Sequence, residues 1–300
     1  MTDSASDDSS EALARRLEAT GEYRVLRRFL PRSRYHEPEG GSVRHALVLD
    51  VETTGLDPRS EAIIELALVP FTYVAETGRV VDVEAPVVGL EDPGRPIPAE
   101  VTRLTGISQA MVAGQRLDDE AILSAVGAAQ LIIAHNAGFD RKFVEKRLPP
   151  LRGKPWACSH REIPWHRLGR GSRSLEYLLI QHAGVFFQGH RAERDCLALI
   201  HLLAMPLATG ELPLRLLLES ARRHTARIWA SGAPFEAKEL LKFRGYRWSN
   251  GEDGRPRAWF TEVPAEQRDA ELDWLKAQVY DGVEGGWKVD LLDARTRYAD

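Results

Sequence analysis

An apolar run that ends in two acids is the feature that most constrains how this chain can fold. The segment Leu47–Leu49 leads directly into Asp50 and Glu52, and the polar turn Thr53–Leu56 follows. Because side chains alternate between the two faces of a strand, Asp50 and Glu52 emerge on one face, where their charges repel. A cation between them would relieve that repulsion. Taken alone, the pattern also fits a strand whose acids are solvated as it leaves a sheet.

Two later segments carry further acids at the edges of structured elements. His135–Asp140 follows the short apolar run Gln130–Ala134, and His190–Asp195 opens a helical pattern. Asp140 should lie in the first helical turn after a buried strand, whose carboxyl end faces a shared cleft. His190 and Asp195 are five residues apart and would lie on different faces of one helix. They converge only if His190 stays in the loop around Gly189 and Asp195 lies on the helix.

Four carboxylates and one histidine suit phosphodiester hydrolysis assisted by two metal ions. Hard cations such as Mg²⁺ prefer oxygen ligands and keep several of their waters. Two such ions, roughly 3.5–4 Å apart, can activate an attacking water and stabilise the leaving oxygen. A histidine that titrates near neutrality is the natural general base for that water. The composition of these segments therefore fits the chemistry.

Three motifs together carry a family resemblance. Asp50–Leu56, His135–Asp140 and His190–Asp195 resemble the three exonuclease motifs of the DnaQ-like, or DEDDh, 3′–5′ exonucleases. Leu104–Ser108 resembles a stretch that those enzymes carry between the first two motifs, and the resemblance covers residues 44–205. It implies an α/β fold of the ribonuclease H-like type, with a mixed sheet flanked by helices. It also implies metal-dependent removal of nucleotides from a 3′ end.

The resemblance further implies a role for each motif residue. By position, Asp50, Glu52, Asp140 and Asp195 would hold two divalent ions, Mg²⁺ or Mn²⁺, and His190 would be the general base. The residues expected to contact the substrate are Thr53, Thr54, Gly55, Leu56, His135, Asn136 and Phe139. Other interpretations stay open: core packing for Leu56 and Phe139, a turn or helix cap for Asn136, and a structural hydrogen bond for His135.

Composition limits what the chain can be. Its net charge of -4 and pI near 6.2 exclude a generally basic protein, so contacts with nucleic acid must come from a local patch or from bound metal ions. No stretch approaches the roughly 20 apolar residues that span a bilayer, so we expect a soluble, cytoplasmic protein without a membrane partner. Cys158 and Cys196 are too few for a disulfide framework, and we expect buried, reduced thiols.

The sequence predicts four parts. Residues 1–43 should comprise an acidic disordered tail over Met1–Ser10, a short element and a linker; residues 44–205 form the exonuclease domain; residues 206–224 form a connecting helix. Residues 225–300 should form a small α+β domain with the element order of a split βαβ module.

The last part interleaves cations with aromatic residues, a composition that suits the binding of single strands. The residues concerned are Lys238, Lys242, Arg244, Arg247, Arg255, Arg257, Phe243, Tyr246, Trp248, Trp259 and Phe260. The alternative is a domain whose tryptophans form its core and whose cations are solvated.

These observations predict a 3′–5′ exonuclease that acts on the 3′ end of single-stranded DNA, in proofreading or repair. Its expected partners are that DNA end and a polymerase or repair complex. Two alternatives stay open: an exoribonuclease with the same site, since RNA discrimination depends on pocket geometry, and a non-catalytic nucleic-acid-binding scaffold subunit. The presence of all the catalytic residue types argues against the scaffold.

Overall fold

The structure is a computed structural model that describes residues 4–38, 40–252 and 254–299. The strands are β1 Arg27–Arg28, β2 Val43–Thr53, β3 Ile63–Val74, β4 Val80–Val83, β5 Val87–Leu90, β6 Ile132–Ala134, β7 Trp156–Cys158, β8 Val185–Phe186, β9 Thr225–Ala230, β10 Arg247–Trp248, β11 Trp259–Pro264 and β12 Lys288–Leu292.

Helices connect and cover these strands. The α-helices are α1 Ser4–Ala19, α2 Ala99–Thr105, α3 Gln109–Val112, α4 Asp119–Ala128, α5 Ala137–Arg147, α6 Ser159–Glu162, α7 Leu175–Leu178, α8 Ala192–Ala204, α9 Pro213–Arg222, α10 Lys238–Phe243 and α11 Arg268–Gln278. Short 3-10 helices cover Pro149–Leu151, Phe235–Ala237 and Ala265–Gln267, and a π-helix covers Leu179–Ala183. None of the helices in the described part of the chain combines the length and apolar character that crossing a bilayer needs.

The larger sheet is mixed, as the sequence predicts. Its strand order is β4-β3-β2-β6-β7, with β5 also paired to β3. The first strands pair antiparallel, whereas β6 and β7 join in parallel. Parallel neighbours need a crossover connection, and the helical segment between β5 and β6 supplies it. The resulting sheet flanked by helices confirms the predicted fold class.

Strand β2 lies at the centre of this sheet and is covered on both faces. Ala46 and Val48 pack with α8 in one cluster, whereas Leu47, Leu49 and Val51 pack with α5 in the other. This explains the continuous apolar run, because a strand buried on both faces needs apolar side chains at every position. It also puts Asp50 on the face covered by α8.

Several local predictions are wrong. The sequence predicts a single strand over Val80–Val88. The structure instead has β4 and β5, separated by a segment with Pro86, whose missing N–H removes a ladder hydrogen bond. The sequence also predicts irregular structure for the basic stretch Ser159–Arg173, but this stretch begins with α6. The predicted disordered tail Met1–Ser10 has its first three residues outside the described ones, and from Ser4 onward the chain is helical.

The C-terminal part forms a separate antiparallel sheet in the order β10-β11-β9-β12. The predicted succession of strand, helix, two strands, helix and strand is the succession observed. Helices α10 and α11 cover one face, where Ile228, Leu241 and Leu275 form the core. Trp229 and Phe260 lie on the opposite face, which we name the open sheet face.

The last residues of the chain fasten this domain to the larger sheet. The Trp156 N–H, at the edge strand β7, donates to the carbonyl oxygen of Ala294 at 2.6 Å. Arg141, which is 1% exposed, donates to the carbonyl oxygens of Arg295 and Arg297. Arg297 in turn forms a buried ion pair with Glu162 at 3.0 Å. The two sheets are therefore joined through α5, α6 and the segment 294–297.

Candidate active site

Two of the predicted acids lie where β2 leaves the sheet. Asp50 and Glu52 are partly buried on the face of β2 that α8 covers, and α8 contributes Asp195 from its first turn. Among the described residues, one carboxylate oxygen from each of these acids lies within 4.8 Å of the other two. Fold topology therefore brings together residues more than 140 positions apart in sequence.

Asp140 lies beside this group of three rather than within it. It is in the first turn of α5 and is 2% exposed. The backbone N–H of Val51, between Asp50 and Glu52, donates to Asp140 Oδ1 at 3.3 Å. This hydrogen bond fixes the fourth carboxylate against the strand that carries the first two.

The loop before α8 wraps around the Asp195 carboxylate. The backbone N–H of Arg191 donates to Asp195 Oδ2 at 3.1 Å. A Cβ at Gly189 would lie 3.2 Å from Asp195 Oδ1 and would crowd this carboxylate. His190 is exposed and has φ +67°, a left-handed conformation that is uncommon for a residue with a Cβ. His190 thus stays in the loop while Asp195 lies on the helix, the arrangement that their convergence required.

Burial and mutual repulsion raise the pKa of every acid in the site. Desolvation is the largest cause for each, and it raises the pKa of Glu52 to about 8, that of Asp140 to about 7 and that of Asp195 to about 6. The pKa of Asp50 lies well above its usual range, because the acid is desolvated and faces Asp140, Asp195 and Glu52. Such clustered, raised pKa values are typical of functional sites.

Glu65 and Arg191 also contribute to the site, although no role was predicted for either from the sequence. Glu65 is 1% exposed on β3 and pairs in register with Glu52, so it lies on the same face. Its carboxylate accepts the Arg191 guanidinium at 2.6 Å and the Ala192 N–H at 2.9 Å. This clamp holds the start of α8 against β3. A charged residue inside the apolar run Ile63–Val69 was the signal that could have identified it.

The polar residues after β2 shape a tight turn. The Thr53 hydroxyl donates to the Gly55 carbonyl oxygen at 2.7 Å, and the Thr54 hydroxyl accepts the Ala62 N–H at 3.0 Å. A Cβ on Gly55 would lie 3.0 Å from the Glu61 side chain. Leu56 is 84% exposed at the tip of this turn, so the core-packing interpretation of Leu56 is wrong.

The residues of the second motif differ in their hydrogen bonds, exposure and packing. His135 Nε2 lies 2.8 Å from the Arg173 carbonyl oxygen and therefore donates, which leaves Nδ1 to accept from the Ser159 hydroxyl at 2.8 Å. Burial lowers the pKa of His135 to about 4, so the ring is a structural hydrogen-bonding group. Asn136 is exposed at the N-cap of α5 without a side-chain capping bond, and Phe139 packs partly on Phe143.

A divalent cation fits this set of side chains. The three clustered oxygens and the adjacent Asp140 supply only hard ligands, the type that Mg²⁺ and Mn²⁺ prefer. The raised pKa values also mean that the cluster lacks enough positive charge within the protein to hold all its carboxylates ionised.

A protein-family model describes the same region. The exonuclease model named RNase T matches residues 47–203, just over half of the chain. This range contains every acid of the site and His190.

Curated relatives include DNA polymerase III components. A PolC-type DNA polymerase III of Thermotoga maritima is 34% identical over 112 residues, which are 37% of this chain and 8% of that protein. The DNA polymerase III subunit epsilon of Treponema pallidum is 27% identical over 169 residues, 53% of this chain and 74% of that subunit. The chain therefore aligns with only a small part of the PolC-type proteins.

Among solved structures, exonuclease X in complex with 5′ overhanging duplex DNA is 26% identical. The match covers 57% of this chain and 99% of that one, with a TM-score of 0.39.

Proposed function

The chain belongs to the RNase T exonuclease family, and from that premise we propose that it is a metal-dependent 3′–5′ exonuclease acting on single-stranded DNA ends. The observation that carries the proposal is the group of three carboxylate oxygens within 4.8 Å, contributed by Asp50, Glu52 and Asp195. Asp140 adjoins it through the Val51 N–H. Ionised acids this close together repel one another, and a bound cation would relieve that repulsion.

In this proposal the four acids hold two divalent ions. When bound, such ions supply Lewis-acid stabilisation to the phosphate undergoing displacement. Asp50, Glu52 and Asp195 would provide ligands on the α8 side, and Asp140 would do so from α5. Val51 and the loop Gly189–Arg191 orient two of these carboxylates through backbone N–H groups. Glu65 and Arg191 would act indirectly, by holding this loop against β3.

His190 is proposed to accept the proton of the attacking water. It is exposed to solvent beside Asp195, so water and substrate can reach its ring. Its left-handed backbone conformation costs free energy and directs the side chain out of the helix. Because the four acids would coordinate the metal ions, none of them would be available as the general base, and His190 would fill that role.

The turn after β2 would hold the terminal nucleotide. Backbone groups of Thr53–Gly55 lie beside Glu52, and the exposed Leu56 side chain extends beyond them. A large exposed apolar side chain next to a catalytic site can stack against a base. Asn136 and Phe139 would line the other side of the strand's path.

We propose DNA as the substrate and proofreading or repair as the setting. Support comes from the relatives, which are named as DNA polymerase III components. A polymerase or repair complex is accordingly the proposed protein partner.

Digestion of 5′-labelled single-stranded DNA and RNA of one sequence tests the proposal. Wild type should shorten the DNA from its 3′ end with Mg²⁺ or Mn²⁺, and EDTA should abolish the ladder. Asp140→Ala should also abolish it. Asp269→Ala removes an exposed acid that pairs with its neighbour Arg268 on α11, and this matched control should retain full activity.

Three outcomes would contradict the proposal in different ways. A ladder mainly on RNA would make the enzyme an exoribonuclease. Shortening from the 5′ end would overturn the polarity. Binding without cleavage under every metal condition would leave a scaffold protein.

A further inference from the structure

A basic groove runs between the outer side of α5 and the open sheet face of the C-terminal domain. Building on the proposed function, we propose that this interdomain groove holds the phosphate backbone of the substrate strand several nucleotides 5′ to the cleaved bond. Two adjoining cavities of about 790 and 200 Å³ form it, and they share Lys142, Arg227 and Leu292. The groove is distinct from the carboxylate site. Among the described residues, none that lines the groove belongs to the group of Asp50, Glu52 and Asp195.

The charge of the groove opposes that of the whole protein. Among the described residues that line it, eleven are arginine or lysine and three are acidic, in a chain of net charge -4. Each of those acids already has a partner: Glu145 with Arg141 at 2.7 Å, Glu262 with Arg227 at 2.9 Å, and Asp290 with the Trp229 indole N–H at 2.6 Å. Arg141, Arg227 and Arg297 are themselves buried in ion pairs, so the positive charge that the groove offers to a polyanion comes from the other eight cations.

The open sheet face gives the groove an aromatic floor. Phe260 lines the smaller cavity and packs on Trp229, with ring centroids 4.9 Å apart. Two guanidinium groups lie over the Phe260 ring, that of Arg247 at 4.8 Å and that of Arg255 at 5.9 Å. Phe260 is only 7% exposed, so its ring supports these two guanidinium groups, which in turn face the phosphates of a bound strand.

Helix α5 connects the groove to the catalytic acids. Gly138, Arg141, Lys142 and Glu145 line the groove, and their spacing of three and four residues puts them on one side of α5. Asp140 lies on another side, toward Val51. A helix with side chains is about 10–12 Å across. A strand stacked as in duplex DNA rises about 3.4 Å per nucleotide, so its phosphates about three or four positions from the cleaved bond would reach the groove.

The other end of the groove opens beside the turn after β2. Pro58 and Arg59 line the larger cavity, close in sequence to the exposed Leu56. The Lys146 ammonium group, also on α5, donates to the Pro58 carbonyl oxygen at 2.7 Å and so ties this turn to the groove wall. A strand leaving the site past Leu56 would thus enter the groove directly.

Strand register separates this groove from a second basic and aromatic cleft. On β10, Arg247 pairs with Phe260 and faces the groove, whereas Trp248 pairs with Trp259 and faces the opposite way. Trp248 and Trp259 line a cleft with Phe235, Lys238 and Arg257. The cations and aromatic residues that form one group in the sequence therefore divide between two surfaces, and only the Arg247 surface adjoins α5.

Paired variants on the two surfaces test the proposal. Arg247→Ala with Arg255→Ala alters the groove, and Lys238→Ala with Arg257→Ala is the matched control. Binding of a 20-nucleotide single strand is measured as a function of salt on an Asp140→Asn background. Loss of two phosphate contacts should weaken binding about 10-fold and reduce the slope of log K against log salt by about 1.4. The control pair should change neither quantity.

Hydrolysis of thymidine 5′-monophosphate p-nitrophenyl ester separates this proposal from the proposed function. With Asp140 intact, the groove variant should cleave this small ester at the wild-type rate but degrade the 20-nucleotide strand more slowly. The groove assignment would be overturned if the folded Arg247→Ala, Arg255→Ala variant bound the strand with wild-type affinity and wild-type salt slope, and if Arg247→Glu did the same. If wild type cleaves neither substrate, the proposed function fails while the binding comparison still decides the groove.

Discussion

Replacing Glu52 with glutamine should stabilise the metal-free protein while abolishing its activity. Burial and neighbouring acids raise the pKa of Glu52 to about 8, from an ordinary value of 4.5. Between these pH values the folded protein keeps a proton that the unfolded chain has released. The free energy of unfolding therefore falls as pH rises from 4.5 to 8, and glutamine, which stays neutral, removes that loss.

The size of the effect follows from the shift and the geometry. A difference of 3.5 pKa units, between 8 and 4.5, corresponds to about 5 kcal/mol at pH 9. Repulsion between two ionised groups no more than 4.8 Å apart is at least about 3.5 kcal/mol at an effective dielectric constant near 20, which is of the same order. Glu52 is only partly buried, so solvent screening reduces the gain to about 2–4 kcal/mol. The expected rise in Tm is about 4 °C or more.

Thermal unfolding in EDTA at pH 5 and pH 9 measures this gain. Glu52→Gln should match wild type at pH 5, where the wild-type carboxyl is protonated, and exceed it at pH 9. Mg²⁺ should stabilise wild type more than the variant, because ligand binding to the folded state adds stability. Glu100→Gln, at a side chain that is 89% exposed, is the control. A variant no more stable than wild type at pH 9, or equally stabilised at both pH values, would refute the reasoning.

Three further changes test other parts of the site and fold. His190→Ala should lower kcat about 10²–10⁴-fold, and a kcat equal to that of wild type would exclude a general base at this position. Arg191→Ala leaves Glu65, whose side chain is 1% exposed, without its guanidinium partner. In a Mg²⁺ titration of activity, this variant should show a lower kcat and a weaker Mg²⁺ affinity, and Arg191→Lys should restore part of both. Arg297→Met unpairs the buried Glu162, whose side chain is 6% exposed, and should lower the free energy of unfolding by about 3–5 kcal/mol in urea. A loss below about 1 kcal/mol, the usual worth of an exposed pair, would mean that this junction does not anchor the domain.

The central parts of the fold could be predicted because their signals are local. The apolar run before Asp50 marks a strand buried on both faces, and the periodicity of 192–204 marks an amphipathic helix. The split βαβ succession of the C-terminal part was also readable, since each element is short and bounded by turn residues. The secondary-structure predictions were wrong where the local sequence pattern was weak, as at the break between β4 and β5 and in α6.

Local patterns could not assign the C-terminal cations to surfaces. Arg244 forms an ion pair with the buried Glu271, and Tyr246 lies in the core at 3% exposure. Arg247 and Trp248 are adjacent in sequence and face opposite ways. Only strand pairing decides which face of a strand is covered, because a shift of one residue reverses every side chain.

The sequence alone was enough to propose which side chains carry the chemistry. Asp50, Glu52, Asp140, His190 and Asp195 could be proposed because their residue types and spacing are restrictive even without coordinates. The tertiary structure alone decided that Glu65 and Arg191 clamp the loop around Asp195, and that α5 and a distant sheet enclose one basic groove. These features depend on contacts between residues far apart in sequence, and such contacts leave no periodic or local signature in the chain.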